Sequence, residues 1–280
     1  MLRLAALCCA AAAAAGLPSV LVTGATGRTG SLIYLGLKSA HPSMDVRALV
    51  RSVEKARRIL GCDLCNASEG IYVGDVTNET TLMTPARGIS TLVIAVGVDG
   101  NATEAQARSV EFGGVQKQVT AIAQPANRPG CVVGYNQYCG LRTVLVSSMG
   151  TTLPAPSPAQ GGTILFWKLN AEAFLGYTGF PSVVIKPGGL LETPGNASTL
   201  MVGHDDSLLA NVSVPVISRA DVAAVAREAA LEEARPATGG FLRFDVCGKP
   251  GPPTAPSDVL QAARHAWQRG AAGGLLGPFR

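Results

Sequence analysis

The sequence predicts an α/β protein built on a doubly wound parallel sheet, with a small irregular C-terminal lobe. Three observations carry that expectation. Short apolar runs alternate with helix-periodic segments almost to the end of the chain, the order that a parallel sheet covered by helices requires. Some runs are continuously apolar rather than alternating, as in TLVIAV (91–96), which suits strands buried on both faces. A glycine turn, GATGRTG (24–30), joins the first run directly to the first helical segment.

Taken in order, SVLVT (19–23) reads as the first strand and RTGSLIYLGLKSA (28–40) as a helix with apolar residues at helical spacing. VRALV (46–50) leads into VEKARRIL (53–60), and IYV (71–73) into GDVTNETTLM (74–83), where Asp75 or Thr77 is placed to cap a helix. After TLVIAV come a helix over 110–124, a strand at TVLVSS (143–148), a helix at TILFWKLNAEAFLGY (163–177) and a strand at SVVIK (182–186). RADVAAVAREAAL (219–231) reads as a helix and FLRFDV (241–246) as a last strand. The segments after Lys186 are richer in Gly and Pro and fall beyond the strand ends, where such sheets bind substrates. The expected organisation is a targeting segment over 1–16, one domain over 17–270 and a mobile tail over 271–280. The substrate lobe would come mainly from 187–217 and 247–270.

Composition narrows the function classes. Apolar residues make up 47% of the chain and charged ones 15%, the balance of a compact globular protein. A net charge of +4, scattered along the sequence, gives no footprint for nucleic acid. The densest basic stretch, RALVRSVEKARR (47–58), suits either an anionic ligand or a solvated helix face. Seven cysteines include one C-x-x-C pair, Cys62 and Cys65, with no second pair to complete a zinc site, so no metal is expected. Cys131 and Cys139 could cross-link an irregular loop in an oxidising compartment. Residues 1–16, MLRLAALCCAAAAAAG, have the basic start, apolar run and small-residue end of a signal peptide. Five of the eight asparagines (Asn66, Asn78, Asn101, Asn196 and Asn211) lie in glycosylation sequons, which fits a secretory route. No other stretch is long and apolar enough to span a bilayer.

The turn of Gly24, Thr26, Gly27, Arg28, Thr29 and Gly30 lets the backbone approach a pyrophosphate while the following helix offers unpaired N–H groups to it. A carboxylate at the end of the second strand would hold a ribose 2′-hydroxyl. This chain has Arg51 and Ser52 there. Arg28 and Arg51 together suit the 2′-phosphate of NADP, because a guanidinium fork matches phosphate bidentately.

The blocks LPSVLVTGATGRTG, ALVRS, YVGDVT, LVSSMGTT, GGTILFWKLNAEAFL, KPGGLLETPG, LMVGHDDSLL and SRADVAAVAREAALEEA resemble the atypical short-chain dehydrogenases of plants and algae. These are NmrA-like NAD(P)-binding proteins, often of plastids. The resemblance implies a Rossmann fold with NADP along the strand ends. It places Asp75 and Val76 by the adenine and Ala95 and Val96 on the nucleotide path. Ser147 and Lys168 would approach the nicotinamide ribose, and Pro187, Gly188 and Gly189 the nicotinamide end. It also implies a plastid location, against the secretory route suggested by the N-terminus. Two departures stand out: an unusual cysteine-bearing insertion over 124–142, and Lys186 where relatives often carry an arginine.

Short-chain dehydrogenases usually carry a tyrosine four residues before the lysine, on the same helix face, as the proton donor. Position 164 is Ile164, and Tyr177 does not share the face of Lys168. Lys168 and Ser148 are then the candidate catalytic residues, with Lys168 open to a plainer role as a surface partner of Glu172 and the serines as strand closers. His41, His204 and His265 show no metal or triad spacing, and His204 in GHDD reads as a solvated loop residue. Two functions fit. One is an NADPH-dependent oxidoreductase that positions the cofactor for a small-molecule acceptor able to take its proton from water, as a quinone can. The other is a non-catalytic NADP(H) sensor or partner-binding protein.

Overall fold

In a computed structural model, the structure describes residues 18–128, 140–152, 162–232 and 240–272, with residues 265–272 as backbone alone. The expected targeting segment, Cys131, Cys139 and most of the expected tail lie outside these residues. β1 (Val20–Thr23) turns through the glycines into α1 (Arg28–Ala40), and β2 (Val46–Val50) runs into α2 (Val53–Leu60). β3 (Ile71–Val73) precedes a 3₁₀ turn at Glu79–Leu82 and the short α3 (Met83–Ala86). β4 (Thr91–Ile94) is followed by α4 (Glu104–Ala107), a π-helical turn at Arg108–Gly113 and α5 (Gly114–Ala123). Next come β5 (Arg142–Val146), α6 (Gly162–Thr178), β6 (Ser182–Pro187), β7 (Gly189–Leu191) and β8 (Thr199–Gly203). The chain continues with α7 (Ser207–Asn211), β9 (Val216–Ser218), α8 (Arg219–Leu231), β10 (Phe241–Lys249) and α9 (Pro256–Ala272).

The main sheet has eight strands in the order β3-β2-β1-β4-β5-β6-β10-β8. All its pairings are parallel except that of β8 with β10. β1 pairs with both β2 and β4, so the winding reverses there, and the glycine turn stands at that crevice. Beyond the sheet, β7 and β9 form a separate parallel pair. β1 shows why its run is apolar throughout. Val20 and Val22 join a core with Ile33 and Leu37 of α1, Val222 and Ala226 of α8, and Leu260 of α9. Leu21 points the other way, into a core with Val115 and Val119 of α5 and Leu175 of α6.

Local chemistry departs from the expected reading at several points. Asp75 and Thr77 do not cap the segment after β3. Asn78 does, its Oδ1 accepting the Thr80 N–H at 3.2 Å, while Asp75 closes its own turn with Thr77. The helix expected over 110–124 is a π turn followed by α5. Residues 187–217 hold β7, β8, α7 and β9, and β8 extends the main sheet rather than lying loose. Residues 247–270 are the end of β10 and most of α9, whose Val259, Leu260 and Ala263 are buried in the core. Its Pro256 sits at the helix start, where the missing N–H is harmless, so a Pro-rich stretch opens a helix. Among the described residues, no helix is long and apolar enough to cross a membrane.

Phe244 of β10 is fully buried between these layers. Phe244→Ala should lower unfolding stability by about 3–5 kcal/mol, read as a fall in the urea midpoint; an unchanged midpoint would contradict this packing.

Candidate functional site

The turn after β1 is held by close backbone approach. Gly24 has φ +71, and a Cβ there would lie 2.4 Å from the Ala95 carbonyl oxygen; one at Gly30 would lie 2.2 Å from the Gly24 oxygen. The turn, the end of β4 and the first turn of α1 are thus packed with no room for side chains, which leaves Ala95 and Val96 beside the glycines. α1 has Gly27 at its N-cap, with no side-chain cap and no acidic residue in its first turn. Its first N–H groups are therefore available to an anion. Thr26 is half-buried in this turn.

Arginines surround it. Arg28 is largely exposed, and its NH1 lies 3.2 Å from Glu192 Oε1. The same oxygen lies 2.6 Å from Nε of Arg219, whose NH1 reaches Thr29 Oγ1 at 3.4 Å. Arg219 is buried at the start of α8 and was not among the residues expected from sequence. The hydrogen bond and charge of Arg219, with help from Arg28, hold the Glu192 carboxyl below its ordinary range. Arg51 is exposed at the end of β2, next to Ser52, whose Oγ caps α2 by accepting the Lys55 N–H at 3.1 Å. Asp75 is also held low, chiefly by the Thr77 hydroxyl and in smaller part by the charge of Arg51, so these two expected residues sit within electrostatic reach. Val76 is buried against Gly114 of α5.

At the other end, Lys168 is not the surface partner of Glu172. Its Nζ lies 2.7 Å from Glu111 Oε2, with the lysine side chain 15% exposed and the glutamate 3%. The other Glu111 oxygen accepts the Val98 N–H at 2.9 Å. Glu111 reaches this position from the π turn, which also carries Phe112 and Arg108. Phe112 stacks on Trp167 at 5.9 Å between centroids, and Arg108 lies 5.3 Å from the Trp167 ring. Trp167 precedes Lys168 on α6, so the aromatic contact fixes the π turn opposite the lysine. Such one-turn widenings often mark functional positions, but their register leaves no trace in hydrophobic periodicity.

Glu172 is buried in a different network. It accepts from the Ser147 hydroxyl, from Thr151 Oγ1 at 3.2 Å and from Arg243 Nε at 2.7 Å. Arg243 NH1 in turn lies 2.7 Å from Asp205. Ser147 and Lys168 therefore have separate acidic partners, and Ser148 donates to the Met149 carbonyl at 2.9 Å. Ile164 is half-buried one turn before Lys168, and Tyr177 is 91% exposed.

A second buried network was not anticipated. Lys186, in β6, is completely buried, 2.6 Å from Asp206 and 3.3 Å from Asp245. Asp206 also accepts the backbone N–H groups of Gly150 and Thr152, each at 2.8 Å. Burial alone would raise the Asp206 carboxyl; hydrogen bonds from Lys186, Thr152 and the two backbone groups outweigh it and hold the carboxyl low. Asp245 is pushed up by burial, which the Lys186 charge offsets only in part. Pro187 accepts from the Met149 N–H at 3.0 Å, and Gly188 and Gly189 donate to Val246 and Pro215 at 3.0 and 2.8 Å. The chain beyond β6 is thereby tied to β10 and β9. His204 is not a solvated residue: its ring nitrogens lie 2.9 Å and 3.1 Å from the carbonyls of Arg243 and Ala263. The pair Cys62 and Cys65 is a disulfide.

An uncapped helix N-terminus at a glycine turn, in the crevice of a doubly wound sheet, defines a nucleotide-binding α/β protein. More narrowly, the chain belongs to the NAD(P)H-binding family, whose model matches residues 24–233. It is 34% identical over 244 residues to an uncharacterized chloroplastic protein of Arabidopsis thaliana, covering 83% of this chain and 70% of the relative. It is 30% identical over 256 residues to sanguinarine reductase of Eschscholzia californica, covering 83% and 89%. The fold is shared with a Bacillus halodurans protein named for NAD-dependent epimerase/dehydratase, at TM-score 0.63 and 20% identity, over 90% of this chain and all of that one (100%). It is also shared with the NADPH-dependent quinone oxidoreductase QOR2 of Escherichia coli, at TM-score 0.50 and 17% identity, over 90% and 75%.

The Asp245 environment makes a pH-dependent claim. The folded state keeps the Asp245 proton where the unfolded chain, with a carboxyl near about 4, has lost it. Its contribution to stability is thus largest below that value and declines as pH rises toward the folded pKa. Asp245→Asn retains the Lys186–Asp206 pair and should raise the urea midpoint at pH 7 but not at about pH 3. A lower midpoint at pH 7 would mean that Asp245 is a stabilising anion.

Proposed function

We propose that the protein is an NADPH-dependent plastid reductase that positions the cofactor and leaves protonation of the product to water. The observation that carries this reading is the nearly buried pair of Lys168 and Glu111 with Ile164 one turn before it, where a proton-donating phenol would stand. The reductase among its relatives and the chloroplastic names of others support activity and compartment.

A nicotinamide cofactor would fit the cradle that side chains at Gly24 and Gly30 would fill. Gly24, Thr26, Gly27, Thr29, Gly30 and the first N–H groups of α1 would take the pyrophosphate, with Arg219 close by. Arg28 and Arg51 would take the 2′-phosphate, Arg28 exchanging its Glu192 contact for it. Asp75 and Val76 would flank the adenine, and Ala95 and Val96 would line the path. Pro187, Gly188 and Gly189 would border the nicotinamide. When bound, NADPH supplies the hydride. Lys168 keeps further N–H donors for ribose hydroxyls while its charge rests on Glu111. Ser147 supports the site from behind through Glu172, and Ser148 borders the acceptor without a base beside it.

Cofactor preference follows from the two arginines. NADPH should bind more tightly than NADH by about 1–3 kcal/mol, roughly 5- to 150-fold, in a fluorescence titration. Arg51→Asp should remove most of that difference, and equal affinities in the unmutated protein would refute the assignment.

The chemistry is tested by NADPH oxidation against a quinone, a simple ketone and sanguinarine, the compound that names one relative. A positioned general acid contributes about 10²–10⁴-fold, so the ketone should be a poor acceptor beside one that needs no donated proton. Lys168→Ala and Glu111→Gln should both raise the NADPH dissociation constant and reduce turnover. Fast ketone reduction would overturn the reading of Ile164. Tight NADPH binding without turnover on any acceptor would replace the reductase by a cofactor sensor.

A further inference from the structure

We propose that the Cys62–Cys65 disulfide is a thiol–disulfide exchange site whose partner is a dithiol reductant. This goes beyond the reductase reading and does not depend on it. The disulfide lies in the loop between α2 and β3, away from the glycine turn. The two residues differ in exposure: Cys62 is partly exposed and packs in part on the core, whereas Cys65 is 3% exposed. Between them stand Asp63, exposed, and Leu64, 66% exposed. This exposed apolar side chain, within the loop that the disulfide closes, gives a partner something to rest on.

The surroundings favour exchange at Cys62. Arg57 and Arg58 are exposed in the last turn of α2, and Arg57 NH2 donates to the Asp63 carbonyl at 3.1 Å. Reactive cysteines occupy such electropositive, partly exposed places. The nearby acids are Asp63 and Glu69, and the Glu69 carboxylate is engaged with backbone N–H groups of Asp63 and Cys65. Cys65 is held at φ +52, a left-handed conformation that few non-glycine residues adopt, so the closed loop carries local backbone strain. Glu69 also anchors the loop's far side, its carbonyl accepting from Tyr34 of α1 at 3.4 Å.

The step balances. A partner thiolate attacks Cys62 Sγ, a mixed disulfide forms, and the S–S bond breaks with Cys65 leaving as a thiolate that takes a proton from water. The partner's second thiol then displaces Cys62, which is protonated in turn. Two electrons and two protons pass to the protein, and the partner ends as a disulfide. Cys247, buried in β10, has no such access.

The test uses the full chain equilibrated in reduced and oxidised glutathione at graded ratios, then acid-quenched, alkylated and mapped by mass spectrometry. Cys62 and Cys65 should interconvert together while circular dichroism stays native, and the glutathione adduct should map to Cys62. The reduced form should melt about 4–8 °C lower, the effect of losing a short cross-link in a domain of this size. Reduction only on unfolding, an adduct on Cys65, or free thiols at every ratio would each overturn the proposal. Cys62→Ser with Cys65→Ser should reproduce the reduced form's melting temperature, and a melt equal to the oxidised form's would count against it. Should that double variant fail to fold, the adduct position in the unmutated chain still decides.

Discussion

Lys186 sets the terms for everything at the C-terminal ends of the central strands. An ammonium with no access to water is strongly disfavoured unless charge and hydrogen bonds replace its hydration. Asp206 does this at 2.6 Å, while Asp245, 3.3 Å away, is pushed by burial toward its neutral form. Asp206 lies outside the core strands, just before α7, in a left-handed conformation that it shares with Asp205. That strain persists because Asp206 simultaneously binds Lys186, Gly150 and Thr152. One ion pair thus fixes β6, the turn after β8 and the loop after β5 relative to one another.

The same logic repeats around it. Glu172 gathers Ser147, Thr151 and Arg243, and Glu111 gathers Lys168 and Val98. Glu172, Glu111 and Asp206 each have a cation and at least one neutral donor, so these three need no ligand to be satisfied. Both oxygens of buried Asp245, by contrast, lack a hydrogen-bond partner. A cofactor would enter a framework already rigid. Around the glycine turn the arrangement differs: the Arg28 to Glu192 contact is exposed on both sides and so weak. A phosphate bound there, as proposed, would displace little.

How much of this was readable in the sequence divides along one line. Strands, helices and the glycine turn rest on local periodicity and on backbone needs of single residues, and those appear as expected. What escaped depends on partners far apart in the chain. Glu111 and Lys168 are 57 residues apart, Arg219 and Thr29 190, and Ser147 and Glu172 25. The π turn shifts a register that periodicity cannot show. The GHDD segment drew notice for its histidine, yet Asp206 carries the charge that matters and His204 joins backbone carbonyls. α9 escaped because its Pro and Gly neighbours resemble a loop.

The Glu111–Lys168 pair and Ile164 explain each other. In a tyrosine-dependent dehydrogenase the lysine lowers the phenol's pKa by its positive charge. A lysine 2.7 Å from a buried carboxylate presents far less net charge to a neighbour, because the two fields nearly cancel beyond a few ångströms. A phenol placed one turn away would gain little from it. With Ile164 there instead, no phenol hydroxyl needs a partner, and on the proposed reading the lysine would serve through its hydrogen-bond donors. On that reading, an apolar residue at position 164 and a lysine neutralised by Glu111 belong together, in a site that would hold a molecule in place rather than move a proton.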